Sequence, residues 1–211
     1  MKKLFMVLFA VLLTSSFLSA EVTKVGTTAL GFLKIDVGSR AAGMGGAYVS
    51  ITDDATAMFW NPSGIAATEK MQAVFHHSNW IADINLNYVA AVIPVARLGN
   101  IGLNATALSM DDMERTTIDN PEGTGEMFSA GSYAFGLAFA RNLTDRFAIG
   151  FNVKYLNESI YHSSAQGIAF DIGTMFTTQF NGLRIGMSIT NYGPKVQMSG
   201  RDMLTQVDID P

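Results

Sequence analysis

The 211-residue chain contains no cysteine. That excludes disulfides, thiolate metal sites and a lipid anchor on an N-terminal cysteine. Charge is also scarce: Asp, Glu, Lys and Arg make up 15% of the chain, against about 25% in ordinary soluble domains. There is no basic excess, the net charge being −4, so nucleic acid is not an expected partner. Beyond residue 20 no segment approaches the ~18 consecutive apolar residues of a spanning helix. Yet 48% of the residues are hydrophobic and the mean hydropathy is +0.23. Apolar character spread thinly, without long runs, is how a membrane β-barrel reads.

The first twenty residues stand apart. Lys2 and Lys3 give a positive start, Leu4 to Leu13 is unbroken apolar, and Thr14 to Ala20 is rich in small residues. This is the pattern of a secretory signal peptide, with cleavage expected after Ala20. The mature protein is then exported, and a Gram-negative outer membrane is the expected destination.

From residue 71 the pattern has period two. In FAIGFNVKY, 147–155, Phe147, Ile149, Phe151, Val153 and Tyr155 share one face; Ala148, Gly150, Asn152 and Lys154 share the other. The segments 133–140, 168–176 and 183–190 repeat the pattern, 86–97 and 100–110 follow it more weakly, and 71–77 reads as a short first strand. A soluble sandwich also alternates. Here, however, the second face is mostly Gly, Ala, Ser and Asn, not the Lys- and Glu-rich face that water would favour. The expected connections alternate in length: longer at 78–85, 111–127 and 159–165, tight near Leu98-Gly99, at 142–145 and at 179–182. Outer-membrane barrels alternate short periplasmic turns with longer external loops. The expectation is an all-β, antiparallel outer-membrane β-barrel with about seven strands in this chain. A closed single-chain barrel needs an even number, at least eight. The chain is therefore expected to be an N-terminal piece: signal peptide 1–20, a mixed helix/loop hatch 21–70, and the first half of a barrel, 71–211.

The hatch expectation rests on GSRAAGMGGAYVSITDDATAMFWNPSGIA, 38–66. Gly43, Gly45 and Gly46 permit tight or positive-φ backbone. Asp53 or Asp54 caps a short helix over Ala55 to Phe59, and Asn61-Pro62 ends it. Small residues suit close packing inside a confined lumen.

These residues carry a resemblance. Gly38 through Ser50 with Arg40, then Asp53-Asp54-Ala55, then Asn61-Pro62-Ser63-Gly64, resemble the N-terminal signature of PorV/PorQ-type outer-membrane proteins, within a wider FadL-like group. The resemblance implies a barrel of about fourteen strands with an N-terminal hatch, and covers essentially the whole chain. It implies one of two roles. The first is protein secretion or surface assembly of type IX kind, with secreted proteins as partners. The second is FadL-like transport of long-chain fatty acids or other hydrophobic compounds. A structural or adhesive surface barrel is a third possibility from a different class. Outer-membrane lipid is an expected partner in all three.

Enzymatic constellations are weak. Gly43-Met44-Gly45-Gly46 lacks the flanking strand and Lys-Ser/Thr of a phosphate loop. His76 and His77, adjacent on a strand, point to opposite faces. His162-Ser163-Ser164 has no acid in register. No catalytic residue, metal or cofactor is expected. The long loop is acidic, with Asp111, Asp112, Glu114, Asp119, Glu122 and Glu126, and reads as solvated. Trp60 and Trp80 suit an interface, or for Trp60 a hatch anchor. Lys154, Asp171 and Arg184 lie opposite the apolar stripes of their strands and are expected to face the lumen. Asp171 either pairs with Lys154, Arg184 or Arg40, or all three charges are separately solvated.

Overall fold

The computed structural model describes residues 29–201. The signal-peptide expectation, residues 1–20, lies outside them, as do 21–28 and 202–211. Seven long strands form the sheet: β1 (Gln72–Asn79), β2 (Asn85–Val95), β3 (Gly99–Ser109), β6 (Ala130–Thr144), β7 (Phe147–Ile160), β8 (Ser163–Thr177) and β9 (Arg184–Tyr192). Between β3 and β6 the short strands β4 (Met113–Glu114) and β5 (Met127–Phe128) pair with each other. A last short strand, β10 (Ser199–Gly200), pairs with the start of β8. The order is β1-β2-β3-β6-β7-β8, with β9 and β10 both on β8, and every pairing is antiparallel. Among the described residues the sheet does not close on itself.

Several expected boundaries differ. The tight turn expected at 142–145 is Asp145-Arg146, because β6 continues through Thr144. The medium loop expected at 159–165 is a two-residue turn, Tyr161-His162, because β7 and β8 continue their pairing as far as Ile160↔Ser163. Polar residues at 157–166 hid that extension, since these strand ends carry no apolar stripe. The expected helix over Ala55 to Phe59 is one turn, Ala57–Trp60. Asp54 caps locally instead, accepting from the Thr56 N–H at 2.8 Å.

The sheet is apolar on the wrong side for a water-soluble protein. Phe135, Leu137, Phe139, Phe151, Val153, Tyr155, Ile168, Phe170 and Ile172 are each between 41 and 57% exposed. The interleaved Ala134, Ala138, Ala140, Asn152, Lys154, Ala169 and Asp171 are buried. What buries them is the chain's own N-terminal segment, Ala29 to Met71, which packs along this inner face. Val37, Ala55, Ala57, Met58 and Ile65 meet Tyr88, Ala90 and Val92 of β2 and Ala138 and Ala140 of β6. Phe32 and Leu33 meet Ala134, Leu156 and Ala169. A fully buried side chain such as Met58 or Ile65 contributes roughly 1.5–3 kcal/mol, so the contact is a true core.

Glycines set how close the segment comes. Gly150 and Gly173 are cross-strand partners on β7 and β8. A Cβ on Gly150 would run into the Pro62 carbonyl carbon and the Ser63 nitrogen; one on Gly173 would run into the Asn61 side chain. A Cβ on Gly186 of β9 would meet the Val49 carbonyl oxygen at 2.6 Å. Strand glycine where another backbone approaches is the physical reading. Gly150→Val or Gly173→Val should therefore destabilise the seated segment by roughly 1–3 kcal/mol. Faster limited proteolysis of residues 38–66 would report it. Gly131→Ala, whose Cβ meets only the Leu108 carbonyl oxygen at 3.7 Å, should behave as wild type.

Candidate functional site

The docking centre is Asn61-Pro62-Ser63-Gly64. Asn61 is fully buried in extended backbone, φ −157°. It ends the Ala57–Trp60 turn and caps the 3-10 helix Pro62–Ala67, with proline at the first helical position, where its missing N–H costs nothing. The Asn61 amide donates to the Val49 carbonyl at 2.9 Å and the Thr174 carbonyl of β8 at 3.1 Å. Its oxygen accepts from the Ser63 N–H at 3.2 Å and the Ser63 hydroxyl at 2.7 Å. Both donors and both acceptor positions are thereby filled. One side chain binds the inner segment to itself and to the wall.

The wall answers with further asparagines. The Asn100 amide donates to the carbonyls of Ile65 and Thr68, at 2.6 and 2.7 Å. Asn142 donates to the Ala66 carbonyl at 3.2 Å and Asn152 to the Met58 carbonyl at 3.2 Å. The Ile65 carbonyl also accepts the Thr68 N–H at 3.1 Å; the Met58, Ala66 and Thr68 carbonyls lie at the ends of short helical turns, where intrahelical partners run out. Sequence reasoning did not single out these asparagines. The available signal was an amide in the middle of an alternating strand, on the small-residue face, as in FNVKY.

Arg40 of the signature lies above this core. Its guanidinium donates to Asp53 at 2.7 Å and to the Tyr48 hydroxyl at 3.1 Å, with Asp54 at 3.8 Å. It stands over the Tyr48 ring, 5.3 Å from its centre. The Asp53 hydrogen bond, then the Tyr48 and Asp53 charges, raise the Arg40 pKa above its ordinary value. Both partners are about half exposed (54% and 47%), and pairs of that kind contribute only about 0–1 kcal/mol. Tyr48, 1% exposed, is the anchor; burial first, then Asp54, raises its phenol pKa. The Trp60 indole donates to the Val37 carbonyl at 3.0 Å and stacks edge-on with Tyr48 and Phe59. Trp60 therefore anchors the inner segment, whereas Trp80 is 45% exposed at the end of β1.

Among the signature glycines, Gly38, Gly45 and Gly46 have φ of +95°, +62° and +79°. Gly43 ends the short helix Ser39–Gly43 ahead of the turn at 44–46, without a positive φ, and has open space where a Cβ would sit. Gly64 has none, since a Cβ there would meet Thr52 and Ala57.

Of the three charges assigned to the inner face, two meet. Lys154 Nζ lies 2.9 Å from Asp171 Oδ2, with side chains 7% and 0% exposed. Asn152 donates to the same carboxylate at 3.0 Å. Arg184 also faces inward but stands apart, its guanidinium 3.4 Å from the Thr52 carbonyl. Arg40 pairs with Asp53, not Asp171. His77 bonds Asn87 and Asn79 at 2.8 and 2.9 Å, and His162 packs on Tyr161 and meets Arg201 at 2.8 Å. Among the described residues no group of three His, Asp or Glu side chains is placed to hold a metal ion. Asp53, Asp54, Asn61, Pro62 and Gly64 all belong to one packed unit that touches the wall.

Such a sheet, apolar outside and filled from within by its own N-terminal segment, defines a β-barrel wall with an internally packed lumen side. The chain matches the family model of the type IX secretion system protein PorV over residues 18–203 and belongs to that family. No curated protein matches it significantly.

The relative weight of the contacts is testable. Asn61→Ala orphans buried carbonyls at Val49 and Thr174 and should cost about 1–3 kcal/mol. Arg40→Ala should cost less than about 1 kcal/mol. Protection of the segment from protease, compared between the two variants, ranks them; a larger loss for Arg40→Ala would contradict the arrangement.

Proposed function

We propose that the protein is an outer-membrane barrel of the type IX secretion system that receives or assembles exported proteins at the cell surface and has no catalytic activity of its own. The observation that carries the reading is the inner face. It is filled by a segment bound through buried amides and backbone-on-glycine contacts, which suits a plugged scaffold better than an open pore. The exposed apolar stripes on β2, β3 and β6 to β9 fit lipid contact, and the family membership supplies the secretion context. The segment is the hatch of this reading.

Orientation follows from the turns. The hatch helix Pro62–Ala67 sits at the end of the sheet that holds Asn142 and the tight turn Asp145-Arg146. The long β3–β6 connection, stiffened by β4 and β5 and by an Arg115–Glu126 ion pair at 2.8 Å, is at the other end. We assign the first end to the periplasm and the second to the outside. Tyr161 of the β7–β8 turn bonds Glu126 of that connection, and this bond, then Arg115, lowers the Glu126 pKa.

A second reading, transport of hydrophobic compounds, has one observation in its favour. A cleft of about 450 Å³ lies between the N-terminal arm and the wall, lined by Leu30, Leu33, Leu156, Ile168 and Val196 with Lys34 and Lys195. Affinity capture of the full-length protein from native outer membrane separates the two. Secretion predicts co-purifying exported proteins; bound lipids or fatty acids without protein partners would favour transport. For orientation, Ile118→Cys should react with an impermeant thiol reagent on intact cells and Asp145→Cys should not. Residues 1–211 hold no cysteine, any cysteine elsewhere in the full-length protein is replaced by serine, and equal labelling would defeat the assignment.

A further inference from the structure

The wall has one irregularity that no turn requires. β9 follows β8 in register from Thr177↔Arg184 to Ile172↔Ile189, then slips, so that Phe170 faces Tyr192. The extra residue leaves Asn191 in the left-handed region, φ +58°, as in a β-bulge. Beyond Tyr192 the chain leaves the ladder and returns only at Ser199, opposite Ser164. The intervening 193–198 strap passes on the inner side. Val196 sits over Gly167, where a Cβ would lie 2.6 Å from the valine Cγ2, and Gly167 shares the inner face with Ala165, Ala169 and Asp171. The strap and the N-terminal arm together line the 450 Å³ cleft.

The bulge sits where the buried charges are. Asp171 Oδ1 accepts the Asn191 backbone N–H at 2.6 Å, and Asp171 Oδ2 accepts from Lys154 at 2.9 Å. Lys154 in turn donates to the Asn191 side-chain oxygen. An extra bulge residue leaves the normal ladder and loses its regular partners; here both the N–H and the side chain of Asn191 are captured. Burying two charges in a wall is costly unless each is fully hydrogen-bonded. Asn191 supplies one of those bonds to each partner, so the pair and the bulge complete one another. Asn152 links the same carboxylate to the Met58 carbonyl of the inner segment.

We propose that the Lys154–Asp171 pair is a latch that fixes the β9 bulge and holds the 193–198 strap turned inward against Gly167. Lys154 and Asp171 are positioning residues in this device: they act on the strap through Asn191. Releasing the pair lets the strap leave Gly167 and changes the cleft between wall and arm.

The test uses the full-length protein in its membrane. Gly167→Cys with Val196→Cys, with any cysteine outside the cysteine-free residues 1–211 replaced by serine, places a single thiol pair in the protein, and the rate of oxidative cross-linking reports the inward strap. In the parent the cross-link should form readily. In Asp171→Asn and in Lys154→Met it should form at least about tenfold more slowly. Lys154→Arg, which keeps the charge, should retain most of the rate, and Arg184→Ala should leave it unchanged. Asn191→Gly keeps the positive φ and removes only the side-chain acceptor. It serves if a charge variant fails to assemble, with several-fold slower cross-linking expected. Parental rates in assembled Asp171→Asn and Lys154→Met proteins, or in Asn191→Gly where those do not assemble, would overturn the proposal.

Discussion

Two glycines facing one another across β7 and β8 set the terms for the inner half of the structure. Because Gly150 and Gly173 carry no side chains, the backbone at Asn61-Pro62 can lie directly on the wall. That closeness puts the Asn61 amide in reach of the Thr174 carbonyl and puts Ser63 where its N–H and hydroxyl close the cap. The helix Pro62–Ala67 then presents its carbonyls to Asn100 and Asn142. A side chain on either glycine would push the segment away and forfeit several of these bonds together. Glycine in a strand ordinarily weakens it; here the loss is offset by the burial of Met58, Ile65 and Asn61, which the close approach makes possible.

The same constraint explains the division of the two faces. A wall packed from inside by backbone needs small residues and amides inward, and so its large apolar residues are left outward. A water-soluble protein with so much exposed Phe, Ile and Leu would be an aggregation hazard. In the proposed setting the surrounding lipid covers that surface. Polar groups on the inner face are then not solvated at leisure but are consumed by the segment: Asn142 and Asn152 each bind one of its carbonyls and Asn100 binds two, and Lys154 and Asp171 neutralise each other beside it.

Much of this was legible in the sequence, for reasons that can be named. Period-two apolar stripes marked the strands, because each strand has one face of Phe, Leu, Ile or Tyr and one of Gly, Ala or Asn. The Gly, Ala, Ser and Asn of the second face spoke against a soluble sandwich, and GSRAAGMGG with DD and NPSG marked a compact segment suited to close packing inside a lumen. What was not legible depends on contacts distant in the chain. The Tyr161-His162 turn was hidden because β7 and β8 pair far beyond their apolar stripe. Whether Asp171 pairs with one of three basic residues or is separately solvated stayed open, since strand parity fixes a side chain's face and not its height. Asn61 was read as a helix stop; that its amide also reaches Thr174 follows only from the wall's approach. The bulge at Asn191 left no local mark beyond the Gly193-Pro194 that follows it.

The central claim is that the apolar stripe of the wall faces lipid while the alternate residues are sealed by the N-terminal segment. Single spin labels at positions 149 to 155 of β7, in the full-length protein in bilayers, test it through collision with lipid-soluble oxygen. The account predicts alternation: high oxygen accessibility at Phe151, Val153 and Tyr155, and low accessibility to oxygen and to water-soluble relaxants at Asn152 and Lys154. Uniform accessibility, or a pattern with the high values at Asn152 and Lys154, would contradict it.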